Sequence, residues 1–201
     1  MIRQAYSDAA TFFVETVQCL GAETWQQPGL GVWAVRDLVG HTSRALLTVE
    51  TYLAEPATGR DVYQPADYFL QARAMLADPA AVAARGREAG VALGSDPARV
   101  IRDIADRVLV RVAAAADDVL VRTPVGGMRL IDYLPTRVFE LTVHTLDIAA
   151  AGALEVTIPS TASAVALQLL VDLGKHDNKA AALLLLAATG RGPLPDGFSV
   201  L

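Results

Sequence analysis

The stretch Arg137-Val138-Phe139-Glu140-Leu141-Thr142-Val143-His144-Thr145-Leu146-Asp147-Ile148-Ala149 decides how this 201-residue chain is read. Glu140 and His144 stand four residues apart, so on a helix both project from one face. At about 100° per residue, Leu130, Leu141 and Ile148 fall on the same side, so the two polar groups point into an apolar interior. An ionised carboxylate there costs several kcal/mol unless a cation or hydrogen-bond donors compensate it. Glu140 therefore needs a partner.

Working outward, the helix holding this stretch spans 130–151, and Pro135 within it either kinks the helix or marks its true start. Before it, Leu120 to Pro124 reads as extended, with Gly126-Gly127 turning the chain. Asp78-Pro79 and Asp96-Pro97 each pair an N-cap side chain with a proline suited to the first turn, which predicts helices over 79–91 and 97–116. The second repeats Ile101, Ile104, Val108, Val112 and Ala115 on one face; the first carries Gly86 and Gly90 and few large apolar groups, so it reads as short and peripheral. Ala66 to Leu76 reads as a helix after a loop at 57–64. Nearer the start, Val35 to Leu53 forms a helix with Leu38, Ala45, Val49 and Tyr52 inward, entered through the loop Pro28 to Gly31 and Trp33 and stopped by Pro56. The first helix follows Ile2, Tyr6, Phe13, Val17 and Leu20 to Gly21. After the decisive stretch come helices over 160–174 and 177–189, with Gly174 and Gly190 as C-caps. The fold class is all-α: a bundle over 1–152 with additional short helices, and a helical extension over 153–201 packed on it.

Composition agrees and excludes other classes. With 53% hydrophobic and 19% charged residues the chain can bury a core, and long Ala, Leu and Val tracts beside 6% aromatic content favour helices. A net charge of −5 with scattered basic residues argues against nucleic acid as a partner. The most apolar run, Ala180 to Ala188, falls short of the roughly 20 residues that cross a bilayer, so no membrane partner is expected. A lone Cys19 and a start without a secretory pattern fit a cytoplasmic protein. The apolar tail helix could pack on its own bundle or on a second copy, leaving monomer and homodimer both open.

His41 lies less than one helical step from the line of Leu38 and Ala45, and so also faces the bundle centre. Two helices thus offer His41, Glu140 and His144. Two imidazoles and a carboxylate, with one or more positions left for water or substrate, are the pattern of a catalytic zinc or nickel site. Two other arrangements fit the same residues. His41 could be a hydrogen-bonded core histidine, and Glu140 could pair with Arg137, one turn earlier on the same face, with no metal at all. His176, among Asp172, Lys175, Asp177 and Asn178, reads as a solvated surface residue.

The segments Val32-Trp33-Ala34-Val35-Arg36-Asp37-Leu38-Val39-Gly40-His41 and Arg137 to Ala149 resemble the two signatures of the mycothiol-dependent maleylpyruvate isomerase family, within the DinB-like metal-binding bundle superfamily. Leu183 to Arg191 is similar to a tail segment of that family. The resemblance implies a DinB-like four-helix core and a divalent metal, usually zinc, held by His41, Glu140 and His144. It also implies mycothiol as the thiol cosubstrate, whose metal-activated sulfur attacks an electrophilic small molecule. Family isomerases carry a second, C-terminal domain, whereas residues 153–201 read here as two helices, so the metal triad transfers and the substrate does not.

Spacing suggests supporting roles. Asp37 lies four before His41 and Asp147 three after His144, so either could accept the free N–H of an imidazole or simply be a solvated helix charge. Arg137 could steady Glu140 as an ion pair or hold a substrate carboxylate bidentately. Trp33 reads as an anchor at the entry to its helix. Two functions are consistent with this: a metal-dependent thiol S-transferase or isomerase, and a non-catalytic binding module with stress-linked or regulatory duties.

Overall fold

The computed structural model describes residues 1–75 and 78–201. Its helices are α1 (Ile2–Gln18), α2 (Val35–Ala54), α3 (Pro65–Met75), α4 (Pro79–Ala92), α5 (Pro97–Ala114), α6 (Leu130–Ala151), α7 (Ser160–Gly174) and α8 (Asn178–Ala188). A two-stranded hairpin, β1 (Leu120–Thr123) and β2 (Gly126–Arg129), stands between α5 and α6. The all-α bundle expected from the sequence is the fold. The expected helix over 66–76 begins one residue earlier, and its last residue, Leu76, lies outside the described residues.

Four helices close a ring around the core: α1 packs on α5 and α6, and α2 packs on the same two. Tyr6, Phe13, Leu38, Leu46, Ile101, Leu134, Leu141 and Ile148 are all fully buried in it. Capping chemistry sets the helix starts. Asp78 and Asp96 accept from the backbone N–H of Ala80 and Arg99, each with proline at the first helical position. Asp37 accepts from the Ala34 N–H at 3.2 Å, so it serves the start of α2 and does not orient His41. At the end of α8, Gly190 takes φ +70° while Gly190 N–H and Arg191 N–H return to Ala187 and Leu186, the Schellman closure that favours glycine. Gly174, in contrast, is the last helical residue of α7, and Lys175 is the cap.

One expectation resolves and two need correction. First, of the two alternatives at Pro135 a start is excluded: α6 spans Leu130–Ala151 as expected and runs through the proline. Second, Gly126 and Gly127 are not the turn. Pro124 and Val125 turn the chain, and the glycines form the first half of β2 because the loop before α3 lies against them: a Cβ on Gly127 would overlap the Gly59 carbonyl and come within 2.9 Å of Ala57. Asp61 completes that contact by accepting from the Gly127 N–H at 2.7 Å.

Third, α4 is not peripheral. It lies flat along α2, and its glycines are the contact. A Cβ on Gly40 of α2 would stand 2.6 Å from the Ala89 carbonyl carbon, and one on Gly86 would stand 2.6 Å from the Trp33 indole. Arg36 Nε donates to Gly90 O at 2.9 Å and Trp33 Nε1 to Ala83 O at 3.0 Å across the same seam. Residues that weaken an isolated helix here let two backbones touch.

Beyond the ring, α3 covers α6, α7 packs on α6 and α1, and α8 packs on α7. No helix among the described residues is long and apolar enough to cross a membrane.

Candidate metal centre

His41 comes from the second turn of α2, and Glu140 and His144 come from successive turns of α6. The structure brings all three together: one ligand atom from each lies within 4.8 Å of the others. The His41 and His144 rings stand edge to face with centroids 4.9 Å apart. His144 Nε2 is 3.2 Å from Glu140 Oε2, and its Nδ1 is hydrogen-bonded to Asp147 Oδ2 at 3.0 Å. Asp147 thus fills the orienting role that its spacing suggested, fixing the ring so that Nε2 faces the triad. Trp33 does more than anchor the entry to α2: its indole, tied to α4, lies 4.5 Å from the His41 ring centroid.

The electrostatics follow from burial and from these contacts. Burial, aided by the neighbouring His144, lowers the His41 pKa to about 4, so this ring is neutral at physiological pH. Burial alone would raise Glu140, but the His144 hydrogen bond and the Arg137 charge outweigh it and hold the carboxyl below its usual range. Burial alone would lower His144, but hydrogen bonds to Asp147 and Glu140 outweigh it and raise the imidazole well above its ordinary value. Without a metal, a proton shared between His144 and its two carboxylates supplies the positive charge that the site requires.

The donor set fits a divalent ion. Two imidazoles and a carboxylate suit zinc or nickel, and Asp147 provides the carboxylate-to-histidine support common to such ligands. His41 Nδ1 is buried with no hydrogen-bond partner among the described residues. A buried ring nitrogen left so is costly unless another group satisfies it.

Arg137 does not make the ion pair with Glu140 that its spacing allowed. It is 8% exposed, its Nε donates to Thr136 Oγ1 at 2.9 Å, and its guanidinium carbon lies 4.9 Å from the Tyr133 ring centroid and 5.2 Å from that of Tyr68. His41, Glu140 and Arg137 line a cavity of about 630 Å³, walled also by residues of α3 and α4 and by Leu173, Val200 and Leu201. Sequence reasoning missed Arg44, Arg73 and Arg85 on this wall. Arg44, three residues after His41, shares its face of α2 and was findable; the other two depend on how α3 and α4 dock. His176 is exposed beyond the end of α7, and the exposed Cys19 is outside the cavity lining.

A family model described as the mycothiol maleylpyruvate isomerase N-terminal domain matches residues 6–149. The chain belongs to this family. The match to the mycothiol maleylpyruvate isomerase N-terminal domain runs from the second turn of α1 to near the end of α6, and so takes in most of the four ring helices and all three converging side chains. No curated protein and no solved structure matches the chain.

Proposed function

We propose that this chain is a metal-dependent enzyme that uses a low-molecular-weight thiol, mycothiol, for S-transfer or isomerisation of an electrophilic small molecule. The observation that carries the reading is the convergence of His41, Glu140 and His144 within 4.8 Å, with His41 and Glu140 lining a cavity of the size that small-molecule sites take. These three side chains would hold the ion, zinc in the first place and nickel as the other fit to the donor set. A bound ion of this kind lowers the pKa of a thiol enough to provide thiolate at neutral pH.

The remaining work falls to the chain itself. His41 enters as a neutral ring with a nitrogen to offer, because burial disfavours its charge. Glu140 stays ionised under the influence of His144 and Arg137. Asp147 holds His144 in one orientation. Trp33, packed against His41, keeps water from that side. Arg137 faces the cavity, its guanidinium steadied over two tyrosine rings, where it can touch a substrate.

The family to which the chain belongs supports mycothiol as the thiol. The test is elemental analysis of protein purified without chelators, followed by mycothiol conjugation with generic electrophiles. One equivalent of metal is expected, with turnover lost in Glu140→Gln and kept in His176→Ala. Protein that holds no metal and conjugates no thiol refutes the proposal. A metal-free binding module is the second reading, favoured by the closed Glu140–His144–Asp147 chain. Turnover with mycothiol excludes it.

A further inference from the structure

The cavity is basic in an acidic chain. Against a net charge of −5, its lining contains Arg44 from α2, Arg73 from α3, Arg85 from α4 and Arg137 from α6, with Glu140 as its one carboxylate side chain. Elsewhere Arg3 pairs with Asp117, Arg60 and Arg129 with Asp132, Arg99 with Asp96 and Asp103, and Arg107 and Arg111 with Glu50, while Arg36, Arg87, Arg102, Arg122 and Arg191 form no ion pair among the described residues. Among the described residues, none of the four cavity arginines forms an ion pair.

Arg137 makes this more than a charged rim. It is nine-tenths buried, yet of the five N–H donors a guanidinium carries it spends one within the protein, on Thr136 Oγ1. The Tyr133 and Tyr68 ring centroids lie 4.9 and 5.2 Å from the guanidinium carbon, so aromatic rings and not carboxylates are its near neighbours where it lines the cavity. Glu140, one turn away, is the charge that acts on it, but no carboxylate is within ion-pair distance, and a buried guanidinium left with most of its donors free is costly unless something else takes them. Arg44 and Arg85, both half-buried, reach the same cavity from two other helices. One planar fork suits one carboxylate; forks arriving from separate helices suit a group with more oxygens and more charge.

We propose that Arg137, Arg44 and Arg85, with the exposed Arg73 at the mouth, form an oxyanion subsite beside the metal triad, and that it takes a ligand bearing two negative charges on oxygen. The electrophile of the proposed reaction would carry that group, as a phosphate monoester or as two carboxylates. The assignment rests on the reading of this cavity as an active site, but anion binding itself needs no metal, and the two are tested apart.

The experiment is calorimetric titration of chelator-treated protein at constant ionic strength with inorganic phosphate, glycerol 2-phosphate, succinate, acetate and dimethyl succinate. One dianion is expected to bind saturably at one equivalent, about tenfold or more tighter than acetate, and the uncharged diester not at all. The tighter of the phosphates or succinate names the class. Arg44→Gln and Arg85→Gln are each expected to weaken the dianion about tenfold, the worth of one charge-assisted contact, while Arg122→Gln, on the exposed face of β1, leaves it unchanged. Should Arg137→Lys fail to fold, the two half-exposed variants still decide the matter. Absence of saturable binding, equal binding of acetate and succinate, or equal loss in Arg122→Gln overturns the subsite. Metal analysis on the same samples keeps the outcomes distinct: an anion site in protein that binds no metal sinks the proposed function alone, and metal without an anion site sinks the subsite alone.

Discussion

Loading nickel into chelator-treated protein is expected to release about one proton per ion at every pH from 6 to 8. The count comes from the three ligands taken singly. His41, with its pKa lowered to about 4 by burial, carries almost no proton anywhere in this range and releases none. Glu140, held ionised by His144 and Arg137, releases none either. His144, raised by Asp147 and Glu140, keeps its proton and must surrender it for Nε2 to become a ligand. Two imidazoles with ordinary values near 6.5 would instead release about 1.5 protons at pH 6 and fewer than about 0.1 at pH 8. The sign for affinity follows: because a proton must leave His144, apparent affinity climbs about tenfold per pH unit up to its raised pKa. Calorimetry in buffers of different ionisation enthalpy reads the proton number directly. Nickel is preferred because a zinc-bound water can titrate near pH 7 and add a proton of its own. A count that falls toward zero by pH 8 would refute the electrostatic account of the triad.

Two further perturbations probe its support. Gly40→Ala sets a Cβ within 2.6 Å of the α4 backbone, and two backbones must part to admit it. That overpacking costs about 3 kcal/mol, against about 1 kcal/mol returned by alanine's helix preference, so the melting temperature should fall by roughly 4–8 °C. Gly59→Ala, with nothing within 4 Å, should hardly move it in the same scan. Asp147→Ala removes the 3.0 Å hydrogen bond to His144 from a partly exposed position, and is expected to lower metal affinity by about 10- to 100-fold with the melt nearly unchanged. Unaltered affinity in a competition titration would show that the carboxylate does not orient the ring.

Much of the triad was legible because helical spacing speaks directly about faces. Glu140, His144 and Asp147 sit at separations of four and three on a helix whose apolar stripe could be drawn from letters alone, and His41 sits on a similar stripe of α2. Of the cavity arginines, Arg137 and Arg44 share helix faces with the triad and could be read, whereas Arg73 and Arg85 could not, because an arginine on an outer helix looks the same whether it meets water or a cavity. Arg85 was hidden further by α4 itself. Its small residues lower helix preference, and nothing in the local sequence reports that Gly86 and Gly90 face Trp33, Asp37 and Gly40. Arg137 misled for a related reason: a separation of three from Glu140 permits an ion pair, but the aromatic rings of Tyr68 and Tyr133, one of them on α3, claim the guanidinium. The hairpin glycines likewise answered to a distant loop and not to a turn of their own.

The bare contact of α2 with α4 at Gly40 and Gly90 welds a proposed ion ligand, His41, to a proposed charge receptor, Arg85, in a single rigid jaw. Prising α4 away would drag the imidazole with it, so the jaw is a poor hinge. The remaining walls come from other elements, with Tyr68 and Phe69 from α3 and Leu173 from α7. The separation of the proposed ion from the Arg85 guanidinium is therefore set by backbone packing, and a ligand that spans the two would have to match a fixed length.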